Sequence, residues 1–108
     1  MSIKPITPSD VTHIEMANYD LDHIIQLINE DIIKNHGMYH HEEAILHTEY
    51  PISVRKVIAI RLYRAGWKYV YHMTSSENGE RPGLTCFILS TKPVSENIVR
   101  KYTLYKPS

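Results

Sequence analysis

The stretch that decides the fold runs from Pro51 to Leu89 and reads PISVRKVIAIRLYRAGWKYVYHMTSSENGERPGLTCFIL. In its first part, apolar residues recur every three or four positions, which predicts an amphipathic helix that ends at Gly66. The period then changes to two over residues 67–73, as in a half-buried strand. After a polar, turn-rich segment, the β-branched and apolar residues at 84–90 predict the returning strand of a hairpin.

Other segments of the chain carry helical signals. The strongest is an apolar stripe over residues 21–32, with acidic residues at its start and basic ones at its end, as the helix dipole favours. A Thr-Pro-Ser-Asp sequence that begins at Thr7 is a typical helix start. Residues 41–48 predict a helix that stops before the following proline. In the tail, Ser95 can cap a short helix, although the same letters also alternate acceptably as a strand.

These elements predict a single α+β domain over residues 1–108. We expect about three helices to pack on one face of a small antiparallel sheet, a hairpin with strands near 67–73 and 84–90. A bare hairpin is only marginally stable in water, so the aromatic side of its first strand should lie on the helices. A chain of 108 residues is long enough to bury one modest core.

Composition restricts the class of protein. The 12 basic and 12 acidic residues balance, which argues against an acidic DNA mimic and against a generally basic nucleic-acid coat. The single cysteine excludes an intramolecular disulfide framework and suits a reducing compartment. No apolar run approaches the ~20 residues of a membrane span, and no signal-peptide pattern is present. We therefore expect a cytoplasmic protein that does not bind a membrane.

Three segments resemble a known set of proteins. They are the opening IKPITPSDV, the helix that ends in LINEDIIKN, and the passage LYRAGW followed directly by KYVYHM. They are similar to segments of small accessory proteins encoded by large tailed bacteriophages. The resemblance covers residues 3–89 except for the histidine-rich link, and it does not extend into the tail. It implies a setting, the cytoplasm of an infected bacterium, and an accessory rather than a structural role, but no reaction.

The function that we favour is binding without catalysis and without a cofactor. The chain has eight tyrosines against one phenylalanine, and tyrosine is favoured at interfaces because its apolar ring ends in a polar group. The predicted hairpin loop at 74–83 is long, and long loops often bind a partner. We expect a phage accessory protein of the host-takeover or counter-defence type that binds a host or phage protein, or a second copy of itself. The predicted partner-binding residues are Tyr63, Tyr69, Tyr71, Glu77, Asn78, Glu80 and Arg81.

A basic helix offers an alternative, which is nucleic-acid binding. Its side chains could contact phosphates while neighbouring tyrosines stack on bases. A net charge of zero weakens this alternative, and an ordinary solvated helix face is the simpler interpretation. The residues concerned are Arg55, Lys56, Arg61, Arg64 and Lys68.

A histidine cluster offers a second alternative, a metal-dependent enzyme. On a helix, His40, Glu43 and His47 would share one face, and imidazole and carboxylate groups suit Zn²⁺. A fourth ligand would have to come from elsewhere, such as His72. The spacing differs from the H-E-x-x-H arrangement of zinc proteases, so solvated histidines on a polar surface helix are the simpler interpretation.

The only cysteine, Cys86, is predicted to be a buried and inert thiol in a strand. A reactive thiolate needs an electropositive, partly exposed site. Pairing with His72 across the hairpin would still lack a third, orienting group. Since no phosphate-binding glycine loop or serine elbow is present either, we predict that the protein is not an enzyme.

Overall fold

The apolar stripe near the start of the chain forms helix α1, Leu21–Asn35. Asp20 caps this helix, because its side-chain oxygen accepts a hydrogen bond of 3.1 Å from the backbone N–H of His23. The helix buries Ile24 and Ile28. The computed structural model describes residues 18–107 together with Pro5 and Thr7, and the helix predicted to follow Thr7 lies outside the described residues.

Four antiparallel strands form the sheet that the described residues contain. They are β1 (Glu42–Leu46), β2 (Tyr69–Thr74), β3 (Thr85–Ser90) and β4 (Thr103–Leu104), in the spatial order β1-β3-β2-β4. Helix α2, Ile52–Arg64, connects β1 to β2, and helix α3, Glu96–Lys101, precedes β4. The predicted α+β class and the β2–β3 hairpin are confirmed.

The helix predicted over residues 41–48 is wrong, because this segment contains strand β1. Its burial alternates with a period of two: Ala44 and Leu46 are buried, whereas Ile45 is exposed. That alternation fits a strand that pairs with β3, which places Ala44 opposite Phe87. The sheet is therefore wider than the predicted hairpin.

One side of the sheet, which we call the helix face, packs against α1 and α2. Phe87 lies at its centre, on the central strand β3, and is fully buried. The buried side chains join into one apolar cluster, which draws on both helices and on three strands: Ile24, Ile28, Ala44, Leu46, Val54, Ile58, Ala59, Leu62, Val70, Phe87 and Leu89. This cluster is the main core of the protein.

The opposite side of the sheet, the tail face, is covered by the chain from Val94 to Leu104. Its buried residues are Tyr71, Met73, Cys86 and Ile88. The expectation that all helices share one face of the sheet is therefore wrong, since α3 and the residues around it lie on the second face. The aromatic side of β2 meets this tail, while the long helices receive the side of β2 that carries Val70. None of the helices described here combines the length and apolar character needed to cross a bilayer.

Candidate functional site

A buried polar cluster joins α2 to the hairpin at the helix face. Arg55 is only 3% exposed. Its Nε donates to the carbonyl oxygen of Tyr50 at 3.1 Å, and its Nη1 donates to Nδ1 of His72 at 3.0 Å. Its guanidinium also forms a two-pronged ion pair with the carboxylate of Glu77, in which Nη1 lies 3.3 Å from Oε2 and Nη2 contacts Oε1. These contacts compensate the buried charge.

The hydrogen bond from Arg55 fixes the tautomer of His72. A guanidinium can only donate, so Nδ1 of His72 must accept, and the proton of the neutral ring sits on Nε2. His72 is 1% exposed. Burial is the main cause that lowers its pKa to about 4; the positive charges of Arg55 and Lys56 act in the same direction, and Glu77 opposes them. His72 is therefore neutral at physiological pH.

Glu77 lies in the turn that follows β2. Together with Thr74 it forms a capping box around the short 3₁₀ helix Ser75–Asn78, in which Glu77 Oε2 accepts from the backbone N–H of Thr74 at 3.2 Å. Burial by itself would raise the pKa of Glu77, but the hydrogen bonds from Arg55 and from the Thr74 N–H outweigh it and hold the pKa below its usual value. The side chains of His72 and Glu77 both contact the Arg55 guanidinium. We therefore interpret these three residues as a structural cluster, which we call the clamp.

The predicted nucleic-acid surface is only partly exposed. The expectation that Arg55 is solvated is wrong, since it lies inside the clamp. Arg61 is occupied by an ion pair of 2.9 Å with Asp22. Lys56, Arg64 and Lys68 are exposed, and no carboxylate of the described residues lies within ion-pair distance of them.

The structure does not gather the predicted tyrosines into one surface. Tyr71 is 5% exposed and belongs to the tail-face core, so the expectation that its ring is exposed is wrong. Tyr63 is exposed on α2, where its ring meets Tyr105 edge-on at 5.7 Å. Tyr69 packs on the opposite face of the sheet. These rings therefore cannot form one contact patch.

The predicted binding loop lies at the far end of β2 from Tyr69. Its charged side chains make contacts within the chain: Glu77 belongs to the clamp, and Glu80 pairs with Lys101 at 2.9 Å. Asn78 carries the one buried side-chain atom, Nδ2, that has no hydrogen-bond partner in the described part of the chain. Arg81 is exposed. This loop is anchored to its own domain through Glu77 and Glu80.

The predicted metal face does not form, because its residues lie on and around strand β1. His40 precedes the strand in the sequence and His47 follows it, and both are exposed. Glu43 instead lies 3.7 Å from His41 and 3.6 Å from the sulfur of Cys86. Among residues 18–107, no group of three or more His, Cys, Asp or Glu side chains could hold a metal ion.

The prediction of a buried thiol is confirmed at Cys86. The hydroxyl of Tyr102 donates to its sulfur at 3.4 Å, and the thiol faces Oε1 of Glu43. Burial raises the pKa of Cys86 to about 12, with Glu43 adding to the shift and the Tyr102 hydrogen bond opposing it. His72 cannot activate this thiol, because it lies on the helix face while Cys86 lies on the tail face.

A surface that the sequence did not single out lies between α1 and β1. Gly37, with φ of 89°, turns the chain out of the helix. Met38 and Tyr39 then project into solvent, 66% and 51% exposed. The ring of Tyr39 stacks on that of His41, with centroids 5.3 Å apart and planes at 4°. We call residues 38–41 the ridge.

Two clefts adjoin the ridge. One, of about 330 Å³, is closed by Pro93, Val94 and Ser95 from the tail. The other, of about 230 Å³, is lined by Trp67, Lys92 and their neighbours, together with His40 and His41. The sequence signal that could have revealed the ridge is two large apolar residues directly after a helix-terminating glycine, outside any periodic pattern.

Comparisons with known proteins add no family to this description. No protein-family model matches the chain, and neither the curated proteins nor the solved structures that were searched contain a match.

Proposed function

We propose that the chain is a non-enzymatic protein that binds another protein through the ridge. The observation that carries this proposal is the exposure of Met38 and Tyr39, 66% and 51%, between two clefts that a partner could fill. Exposed apolar side chains grouped in this way are typical of interaction sites. The proposed function is the one expected from the sequence, but its site is the ridge instead of the tyrosines and the loop at 74–83.

The chemistry of the ridge suits an interface. Methionine adapts its shape to a partner, and tyrosine supplies a large ring with few torsions to immobilise. The stacking of Tyr39 on His41 holds that ring in place before binding, which reduces the entropy cost of association. Burying a fully exposed side chain of this size contributes on the order of 1.5–3 kcal/mol, and each of these contributes less because it is already partly covered.

The setting comes from the bacteriophage resemblance. A host or phage protein in the cytoplasm of an infected bacterium is the partner class that this resemblance implies. The role is accessory, and the mechanism is occupation of a partner surface around a central anchor with a polar rim. His40, His41 and Lys92 would supply that rim.

The test compares two variants of the tagged protein in extracts of infected cells. The double variant Met38→Ser with Tyr39→Ser removes the anchors, and Ile33→Ser removes an even more exposed apolar residue, 77% exposed, on α1. Proteins retained by the unaltered chain are quantified by mass spectrometry, and the partner is then purified. We expect the double variant to weaken its affinity at least tenfold, equivalent to about 1.4 kcal/mol, and the Ile33 variant to leave it unchanged.

Three outcomes would contradict the proposal. One is that no protein is retained specifically. Another is that the double variant, shown to be folded by circular dichroism, binds the partner as tightly as the unaltered chain. The third is that Ile33→Ser causes the larger loss, which would place the contact on α1. Sedimentation of the purified chain checks separately whether the partner is a second copy.

A further inference from the structure

A third cavity, which we call the pocket, lies on the helix face between α2 and residues 103–106. Its volume is about 290 Å³, and its walls come from Lys56 of α2, His72 of β2 and residues 103–106. The pairing of β2 with β4 places Thr103 directly opposite His72. Neighbouring side chains on paired strands lie side by side, so the Thr103 hydroxyl and the imidazole border the same space.

The imidazole of His72, which lines this pocket, carries a hydrogen-bond donor. Because Nδ1 of His72 accepts from Arg55 at 3.0 Å, the ring proton is on Nε2. The hydrogen bond that joins His72 to Arg55 uses Nδ1 and not Nε2. Nε2 is not one of the fully buried side-chain atoms of the described residues that lack a partner, and its N–H can donate to a ligand in the pocket that His72 lines. A ligand that accepts hydrogen bonds would satisfy it.

The charge of the pocket is positive. Its wall contains two lysines, Lys56 and Lys106, and no carboxylate. Neither lysine forms an ion pair with a carboxylate of the described residues. Behind His72, the charge of Arg55 is matched by that of Glu77, so the charges of the two lysines are the ones left uncompensated near this space. An anion would restore the balance.

We infer that this pocket binds a phosphoryl group, with Lys56 and Lys106 neutralising its charge and the Nε2–H of His72 and the hydroxyl of Thr103 donating to its oxygens. Ammonium groups act as point charges on phosphate, and donors with fixed positions set its orientation. The group could belong to a small phosphorylated molecule or to the backbone of a nucleic acid strand. Tyr105, which lines the pocket, forms a T-shaped pair with the exposed Tyr63, and these rings offer surfaces on which bases could stack.

The test is a titration of the ¹⁵N-labelled chain followed by NMR. Inorganic phosphate is added in one arm and a short oligothymidylate in the other, at constant ionic strength. We expect both the ring nitrogens of His72 and the amide of Thr103 to shift with phosphate at millimolar concentration. Lys56→Gln and Lys106→Gln should each weaken binding about tenfold, as expected for loss of one charge-assisted hydrogen bond.

The control variant is Lys68→Gln, which removes an exposed basic residue outside the pocket and should leave phosphate binding unchanged. If the oligothymidylate binds more tightly than phosphate and phosphate displaces it, the phosphoryl group comes from a nucleic acid strand. If phosphate alone binds, the ligand is a small molecule.

The inference fails if the resonances of His72 and Thr103 do not respond to phosphate, or if Lys68→Gln weakens binding as much as the pocket variants. The second result would indicate general attraction to a basic surface. The double variant of Met38 and Tyr39 should bind phosphate normally, so this test and that of the ridge can fail separately.

Discussion

The two faces of the sheet are covered by very different lengths of chain. The helix face lies under α1 and α2, which span 15 and 13 residues and bury side chains of their own. The tail face lies under α3, which spans six residues and has no buried residue. Since the free energy of burial grows with the apolar area removed from water, the helix face holds the fold together and the tail face adds a smaller increment.

The two faces of the sheet also differ in their polar contacts. The ion pair of the buried Arg55 with the partly exposed Glu77 lies on the side of the long helices. On the tail face, the buried polar contacts are the weaker ones between Tyr102, Cys86 and Glu43. The comparison teaches that local stability should decrease from the helix face to the tail face, and the following substitutions test that order.

The largest effect is expected for Phe87→Ala at the centre of the helix face. Phe87 is fully buried on the central strand, so truncation leaves a cavity that α1 and α2 cannot fill without moving. We expect a loss of about 3–5 kcal/mol in the free energy of unfolding, measured by urea denaturation. Ile98→Ala, on α3 of the tail face, is the matched comparison and should cost about 1 kcal/mol because Ile98 is only partly buried. Equal losses would show that the two faces contribute alike.

A smaller effect is expected from protonation of His72. Its pKa is about 4 in the folded chain and 6.5 ordinarily, so between these values the unfolded state binds more protons. The free energy of unfolding should therefore decrease as the pH falls from about 6.5 to about 4, by about 3 kcal/mol in total. Urea denaturation at a series of pH values across this window measures the slope.

The matched variant for this pH dependence is His72→Gln, which retains an acceptor for Arg55 and does not titrate. Its stability should be nearly constant over the upper part of the window. The lowered pKa values of Glu49 and Glu77 also remove stability in acid, but only as the pH falls through and below their ordinary value of 4.5. A slope that persists in the variant above that value would assign the effect to another group.

The sequence predicted most of the helix face. The apolar periods of residues 21–32 and of the segment after Pro51 correspond to α1 and α2, and the change of period after Gly66 corresponds to β2. These predictions succeeded because the signals are local. Strand β1 was predicted as a helix because its five residues are too few for periodicity to separate the two states. Its identity depends on pairing with β3, which is distant in the sequence.

Predictions of candidate site residues were less accurate for a related reason. A basic residue on a helix was expected in solvent, yet Arg55 is buried because Glu77 and His72, from another part of the chain, face it. Similarly, Tyr71 is buried because the tail folds over it. Exposure of an amphipathic side chain depends on long-range packing, which neither composition nor spacing encodes.

The smallest effect is expected on the tail face, from Tyr102→Phe. This change removes the hydroxyl that donates to Cys86 at 3.4 Å and keeps the ring that packs on the sheet. A hydrogen bond to sulfur is weak, so we expect a loss of about 0.5–1 kcal/mol. Hydrogen exchange should show the loss in the amides of α3 and β4 before those of β3, because the tail opens more readily than the central strand. The exposed Tyr39→Phe is the control and should change neither measurement. Equal acceleration of exchange in β3 would mean that the tail and the sheet unfold as one unit, and the distinction between the two faces would then be wrong.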